Sequence, residues 1–264
     1  MKIKKRAPLL RKKNIKRESR KRQIKLFLKG SFILLLIAGI FLGGRYGLTH
    51  LSFFSLQKVN VIGSPKSLSE ADIIAKAQVE LGSNLFKIDL EEVKKRIQNN
   101  SYFKLVSVQR RLPHSLTIEI QEYTPALILN TGRLHYVDQD GDIFKDITDS
   151  DDKRDYPILS GIDEEMLATE PAKVKTVLQN ALQLKKDYQN LPAYEALGLS
   201  EIHYEKNIGF TLYPEKQKYS IKVGLKDFAE KMKKLGESWK QIEESKSSIS
   251  SIDLNYPGKI LMSL

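Results

Sequence analysis

An α+β fold carried on one membrane-spanning helix is what this sequence predicts, and three observations predict it. An uncharged run, GSFILLLIAGIFLGG at 30–44, follows a strongly basic N-terminal stretch. Helix-period and strand-period segments then follow in the order β-α-α-β-β over 53–124. From 125 to 264 two-residue alternation dominates, which predicts a mainly antiparallel β domain with two helices. The expected divisions are therefore a basic tail (1–29), a transmembrane helix (30–48) and two external domains (53–124 and 125–264).

The charge is not spread over the chain. Fourteen basic residues and one acidic residue, Glu18, fall in 1–29, a net +13. The formal +12 of the whole chain leaves −1 for everything after Lys29. Basicity is thus a property of the tail, and it predicts a tail held in the cytoplasm with residues from about Thr49 onward outside. Nucleic-acid binding by the tail is the competing expectation, but no aromatic residue precedes Phe27 to stack on a base. A topology signal that also meets anionic lipid fits the composition better.

The uncharged run is short for a hydrocarbon core about 30 Å thick. Snorkelling by Lys29 and Arg45, with apolar residues at 26–28 and 46–48, extends it to 26–48, and Tyr46 suits the interface. A cleaved signal peptide is the alternative. The long basic stretch and the lack of a small-x-small site after the run weigh against it. Gly39, Gly43 and Gly47 fall on one helix face, a spacing that lets a second membrane helix approach closely.

In the first external domain, 58–63 alternates with Val59 and Val61 on one face and stops at Gly63-Ser64-Pro65. Ser69 is placed to cap a helix through Leu81, with Ala71, Ile74, Ala75 and Val79 apolar. Asp89, with Glu92 three residues on, opens a second helix whose buried stripe is Leu90, Val93 and Ile97. Strands at 104–110 and 116–120 flank the turn Leu112-Pro113-His114-Ser115.

In the second, 133–137 and 143–145 read as a hairpin around Asp138-Gln139-Asp140-Gly141-Asp142. Three aspartates beside a glycine suggest calcium, but the distal bidentate Glu of an EF-hand loop is missing. Helices are expected at 173–188 and 226–244. In the latter, Phe228, Met232, Leu235, Trp239 and Ile242 form a stripe suited to packing on a sheet or, less well, to a short coiled coil. Strands are expected at 200–205, 208–213, 219–223, 249–254 and 259–264.

Several chemistries are disfavoured. No cysteine means no disulfide, thiolate zinc site or cysteine nucleophile. His50, His114, His135 and His203 are isolated, and no HExxH, GxSxG, P-loop or GxGxxG motif is present. The acidic pairs Glu91-Glu92 and Asp151-Asp152 read as helix-start and loop residues. No catalytic, cofactor or metal site is expected.

The stretches VNVIGS, DLEEV and RRLPHSLTIEIQEYTPA resemble a POTRA domain of the FtsQ/DivIB kind. Downstream, RLHYVDQDGDIF (133–144), YPILSG (156–161), YSIKVG (219–224) and SIDLNYP (251–257) resemble that family's landmarks, in order. The resemblance covers essentially the whole chain. It implies a non-enzymatic divisome scaffold in the cytoplasmic membrane, enriched at the septum. Its implied partners are the single-span proteins FtsB (DivIC) and FtsL, through which septal peptidoglycan synthesis is controlled. It also implies that FtsB adds a strand to the final strand of the second domain.

The terminal KILMSL is a good edge strand, with Ile260 and Met262 facing one way and Leu261 and Ser263 the other. Read alone, this strand could equally be interior. The implied contact set is Asp253, Leu254, Asn255, Tyr256, Lys259, Ile260, Leu261 and Met262, with Tyr256 as anchor. Asn255 stands where the family has arginine, so an ion pair from that position is not available here. Two rival readings are a POTRA-bearing envelope assembly or secretion factor and a membrane-anchored enzyme or sensor. The first needs a transmembrane barrel, and too few residues follow Tyr123.

Overall fold

A computed structural model describes residues 9–50, 52–63, 65–149, 151, 155–245, 249–256 and 258–263. Ser64, Asp152, Pro257, Leu264 and the first eight residues of the tail lie outside them. Helix α1 (Leu9–His50) contains the apolar stretch Lys25–Leu48, 24 residues long, whose mean hydropathy reaches 2.3 over an 18-residue window. At about 1.5 Å per residue it is about 36 Å long, enough to cross a bilayer core of about 30 Å. Its large apolar side chains, Phe32 to Leu42 among them, stand exposed, as lipid-facing residues do. One N-terminal apolar helix of this kind fits a single-pass membrane anchor.

The chain divides into two compact units. The first comprises Met1–Ser64, Leu68–Ile97 and Val106–Ile120; the second takes Pro65–Ser67, Gln98–Leu105 and Gln121–Leu264. After a 3-10 turn (Ser52–Phe54), the early elements are β1 (Lys58–Ile62), α2 (Glu70–Ala77), α3 (Leu90–Gln98), β2 (Phe103–Arg111) and β3 (Ser115–Glu122). This is the expected β-α-α-β-β order. The sheet runs β1-β3-β2, with β1 parallel to β3 in the register Val59↔Leu116, Val61↔Ile118.

Local chemistry explains the helix ends. The Ser69 hydroxyl accepts from the Asp72 N–H, and Asp89 Oδ1 accepts from the N–H groups of Glu91 and Glu92. Helix α2 stops after two turns because Gln78 enters the left-handed region (φ 49°). The shorter helix turns a different face inward than the periodicity predicts. Ile73 and Ala77, at i and i+4, are fully buried, while Ala71 and Ala75 are exposed and Ile74 and Val79 are half-buried. Gly63 (φ 108°) ends β1 where a Cβ would lie 1.9 Å from the Ile120 carbonyl oxygen, so only glycine fits.

The second unit is built on a nine-stranded sheet. Its strands are β4 (Pro125–Asn130), β5 (Leu134–Asp138), β6 (Ile143–Asp146), β7 (Ile158–Ser160), β8 (Glu201–Glu205), β9 (Gly209–Tyr213), β10 (Ser220–Gly224), β11 (Ser251–Asp253) and β12 (Leu261–Ser263). They run in the order β12-β11-β10-β9-β8-β7-β4-β5-β6. The sheet is mixed: β4·β7, β7·β8 and β10·β11 are parallel and the other neighbours antiparallel. Five helical segments accompany it, where two are expected: α4 (Glu164–Thr169), α5 (Pro171–Gln189), α6 (Tyr194–Leu197), α7 (Phe228–Glu237) and α8 (Trp239–Ser245). The second expected helix breaks at Ser238, yet its stripe stays intact. Met232, Leu235 and Ile242 are buried, and Phe228 and Trp239 pack beside them against the sheet.

One row of paired residues crosses all nine strands. It reads Asp146, His135, Leu129, Leu159, Ile202, Leu212, Ile221, Ile252, Met262, each opposite the next. The six from Leu129 to Ile252 have no solvent exposure, covered by the Val174, Leu178, Ala181 and Leu184 face of α5 and by α7. Near β6, the Phe144 ring stacks on Tyr123 at 4.6 Å and lies 5.9 Å from Tyr136. Beside it, Asp151 is half-buried, pairs with Lys145, and accepts from the Thr148 N–H (2.7 Å), the Thr148 hydroxyl (2.8 Å) and the Tyr102 hydroxyl (2.9 Å).

Two outcomes test this framework. Ile202→Ala removes the centre of the row and leaves a cavity, so urea unfolding will show a loss of about 2–5 kcal/mol with the fold retained. The Lys145 ammonium, and then the Thr148 and Tyr102 donors, hold the Asp151 carboxyl well below the usual carboxylate range. Asp151 therefore stabilises the fold at pH values above the ordinary aspartate pKa of about 3.9, and this contribution is lost as pH falls through the depressed folded value. Asp151→Asn will be less stable than the wild type at pH 7, and the gap will narrow as pH is lowered below about 4 in urea titrations.

Candidate functional site

The predicted contact residues gather at the β11–β12 end of the large sheet, and β12 is one of its two edge strands. Strand β11 ends at Asp253, whose Oδ1 accepts from the Asn255 N–H at 2.8 Å and so starts the turn. Leu254 points into the core, which makes it a support for the turn and not a contact surface. Asn255, Tyr256 and Lys259 are exposed. The Lys259 N–H donates to the Tyr256 carbonyl at 3.2 Å, and Gly258 takes φ 71°. This turn delays the last strand, so β12 spans Leu261–Ser263 where 259–264 is expected. Ile260 packs against the core, while Leu261 and Met262 are each 43% exposed. Met262 pairs with Ile252 and so shares its face, as the alternation predicts.

Beside the turn lies a groove of about 530 Å³ lined by Ile208, Leu225, Lys231, Lys234, Asn255 and Tyr256. Sequence reasoning does not assemble it, because its walls come from a β8–β9 turn, the start of α7 and the β11–β12 turn. Lys231 Nζ donates to the Val223 carbonyl at 2.7 Å and stands 3.4 Å from Asn255 Oδ1. A cation therefore sits next to position 255, supplied by α7. Gly224 (φ 81°) makes room for this packing, since a Cβ there would lie 2.0 Å from Asn255 Oδ1. The signal that sequence offers is Lys231 and Lys234, one turn apart on α7. Their meeting with Asn255 and Tyr256 is tertiary.

The three aspartates of the β5–β6 hairpin do come together. Asp138 Oδ1 accepts from the N–H groups of Asp140 (2.9 Å) and Asp142 (2.8 Å), which closes the expected turn. The Lys104 ammonium pairs with Asp138 at 2.7 Å and with Asp140, and Lys175 pairs with Asp142 at 2.5 Å. These contacts push the Lys104 amine up and hold Asp142 down. Two lysines thus occupy the place a cation would take.

His135, isolated in sequence, is not isolated in space. Its Nε2 lies 3.0 Å from the Thr131 hydroxyl and its Nδ1 2.7 Å from Asp146 Oδ1. The order of groups is that of a nucleophile–base–acid chain, but Thr131 and His135 are both buried. The contacts tie the β4–β5 turn to β6. His203 Nδ1 similarly holds the Ser160 hydroxyl at 2.8 Å, across the β7–β8 pair. In α1, a Cβ on Gly39, Gly43 or Gly47 would meet no atom within 4 Å, so that face is open along the helix.

Comparison with known proteins agrees with the fold. Residues 54–123 match the family model "POTRA domain, FtsQ-type", and residues 126–255 match "Cell division protein FtsQ/DivIB, C-terminal". The chain is 34% identical over 211 residues to "Cell division protein FtsQ" of Geotalea daltonii, covering 80% of this chain and 76% of that protein. It is 34% identical over 229 residues to the FtsQ of Geobacter sp. (strain M21), covering 86% and 83%. A shorter match, 28% over 87 residues, covers 33% of this chain and 34% of "Cell division protein DivIB" of Clostridium acetobutylicum. With both parts of the chain matched in order and relatives covered over most of their length, this chain belongs to the FtsQ/DivIB family of cell-division proteins.

Proposed function

We propose that this protein is a divisome scaffold that holds an FtsB (DivIC)- and FtsL-like pair outside the cytoplasmic membrane and so helps to control septal peptidoglycan synthesis. The observation that carries the reading is the unpaired outer side of β12 next to the Tyr256 groove. An edge strand offers a row of unpaired N–H and C=O groups, and an added strand satisfies them. Leu261 and Met262 give that strand apolar contacts, and the groove beside Tyr256 takes a side chain from the segment that leads to it. Asp253, Asn255, Lys259 and Ile260 shape the turn between these two features, and Leu254 fixes it from below. Lys231 places a positive charge beside Asn255, and with Asp227 and Glu230 also lining the groove a partner meets both signs of charge there.

In this reading 1–29 is a cytoplasmic tail, 30–48 the span, 53–124 a POTRA domain and 125–264 the partner-binding β domain. The +13 of the tail supports that orientation. The open Gly39, Gly43 and Gly47 face supports packing against the span of a partner. Enrichment at the septum follows from assembly with the other division proteins. The work is done by association, with no chemical step.

The full chain in nanodiscs, titrated with the ectodomains of the cognate FtsB- and FtsL-like proteins, tests this. Tyr256→Ala removes the anchor and will weaken binding by about 2 kcal/mol, roughly thirtyfold in Kd. Successive residues of an edge strand aim their N–H groups alternately at the neighbour and at the open side. Of Leu261→Pro and Met262→Pro, one removes a donor offered to the partner and the other loosens β12 from β11. Each will weaken binding at least about tenfold while circular dichroism stays unchanged. Unaltered affinity in all three variants moves the interface away from this edge.

A further inference from the structure

The first unit carries a second exposed surface, at the end where the chain leaves the apolar helix. Three segments lie side by side there. The Leu56 N–H donates to Ser83 O (2.8 Å), the Gly82 N–H to Leu56 O (2.7 Å) and the Leu85 N–H to Phe54 O (2.9 Å). On the other flank the Gln57 N–H donates to His114 O at 2.8 Å. Residues 53–57, 81–85 and 112–114 therefore form one hydrogen-bonded base. From it project Phe53, Leu81 and Leu112, which are 66%, 68% and 60% exposed.

The base is rigid. Phe53 packs edge-on against Phe54, Phe54 edge-on against Phe86, and the Arg110 guanidinium lies over the Phe86 ring. Arg110 also donates to Leu85 O (2.7 Å) and Ile88 O (2.6 Å). The surface also sits directly at the end of the span. Asn84 Nδ2 donates at 3.0 Å to the carbonyl of Leu48, the last residue of the apolar stretch. That carbonyl is one of those a helix end leaves without an internal partner, and the 81–85 loop caps it. Lys58, Lys87 and Arg111, one or two residues beyond these segments, are exposed.

We propose that this end of the first unit is a membrane-docking surface. Phe53, Leu81 and Leu112 enter the head-group and acyl boundary of the leaflet that the span has just crossed, and Lys58, Lys87 and Arg111 meet its anionic head groups. Three exposed apolar side chains with Lys58, Lys87 and Arg111 close by in the chain, against the single acid Glu80 beside Leu81, is the composition of an interfacial contact. The span already holds these residues at the bilayer, so even weak insertion is populated because the contact is intramolecular. The domain then stands on the membrane in a fixed pose and does not swing on a tether. The inference rests on the single span and is independent of the partner-binding edge.

The chain has no cysteine, so one introduced thiol is the only labelling site. Phe53→Cys, Leu81→Cys, Leu112→Cys and, as a control, Ile62→Cys would each carry an environment-sensitive fluorophore in the full chain in nanodiscs. Ile62 is also exposed, but it lies four residues along β1 from Lys58, about 13 Å further from this end. Docking predicts blue-shifted emission at 53, 81 and 112. Quenching there by a nitroxide high on the lipid acyl chain will be at least about twofold stronger than at 62, as expected for insertion of about 5–10 Å. Emission like that of position 62, quenched by aqueous iodide and not by lipid nitroxide, overturns the proposal. A blue shift without lipid quenching also overturns it, because the surface is then covered by protein.

Discussion

The row from Asp146 to Met262 is the constraint on which the second unit depends. Because side chains alternate with a period of two, each residue in the row fixes which residues of its strand face the helices. A slip of one residue at any pairing would send that strand's Leu or Ile to the opposite face. The parallel pairings feel this most, since β7 contributes only Ile158–Ser160 and holds its place through Leu159 between Leu129 and Ile202. The cover follows the row. Helix α5 needs Val174, Leu178, Ala181 and Leu184 on one side because six consecutive row members have no solvent exposure.

The row ends differently on its two sides, and that difference separates structure from function. Towards β6 it closes in polar contacts, with His135 held between Asp146 and Thr131. Side chains crowd that margin: Phe144 stacks on Tyr123, and Lys145 pairs with Asp151. Towards β12 the same row runs out at Met262, which shares the core face with Ile252 yet is 43% exposed. No aromatic stack or ion pair crowds that margin among the described residues. Shortness is the one protection this edge has, since it carries neither charge nor proline over Leu261–Ser263. Such an edge leaves backbone N–H and C=O groups open to pairing.

Much of this was readable in the sequence. The span, the β-α-α-β-β order, the Asp-Gly hairpin and the Phe228–Ile242 stripe all rest on periodicity and turn chemistry, which are local. The departures have tertiary causes. Helix α2 ends early at Gln78, and packing buries Ile73 and Ala77 where periodicity favours Ala71, Ile74 and Ala75. The expected 226–244 helix broke at Ser238, and α4 and α6 are single or double turns too short to show a period. Three parallel pairings join strands distant in sequence, which alternation cannot reveal. Around the β11–β12 turn, Tyr256, Leu261 and Met262 lie in one short stretch, so sequence alone places them close together. It does not place Lys231 there, because Lys231 reaches Asn255 from a helix 24 residues away.

That last contact changes how the missing arginine should be understood. Asn255 is not simply a neutral replacement at the rim of the groove. Its side-chain oxygen lies 2.0 Å from where a Cβ on residue 224 would be, so Asn255 in this rotamer relies on the glycine. The same oxygen stands 3.4 Å from Lys231 Nζ, which also bonds the Val223 carbonyl. The cation is therefore fixed by two oxygens and by its helix. An arginine at 255 would reach out on its own flexible stem, and it would bring a second positive charge against Lys231. A lysine is a point charge without the two-pronged geometry of arginine. Asp227 and Glu230 line the same groove, so this cation lies in a surface of mixed charge.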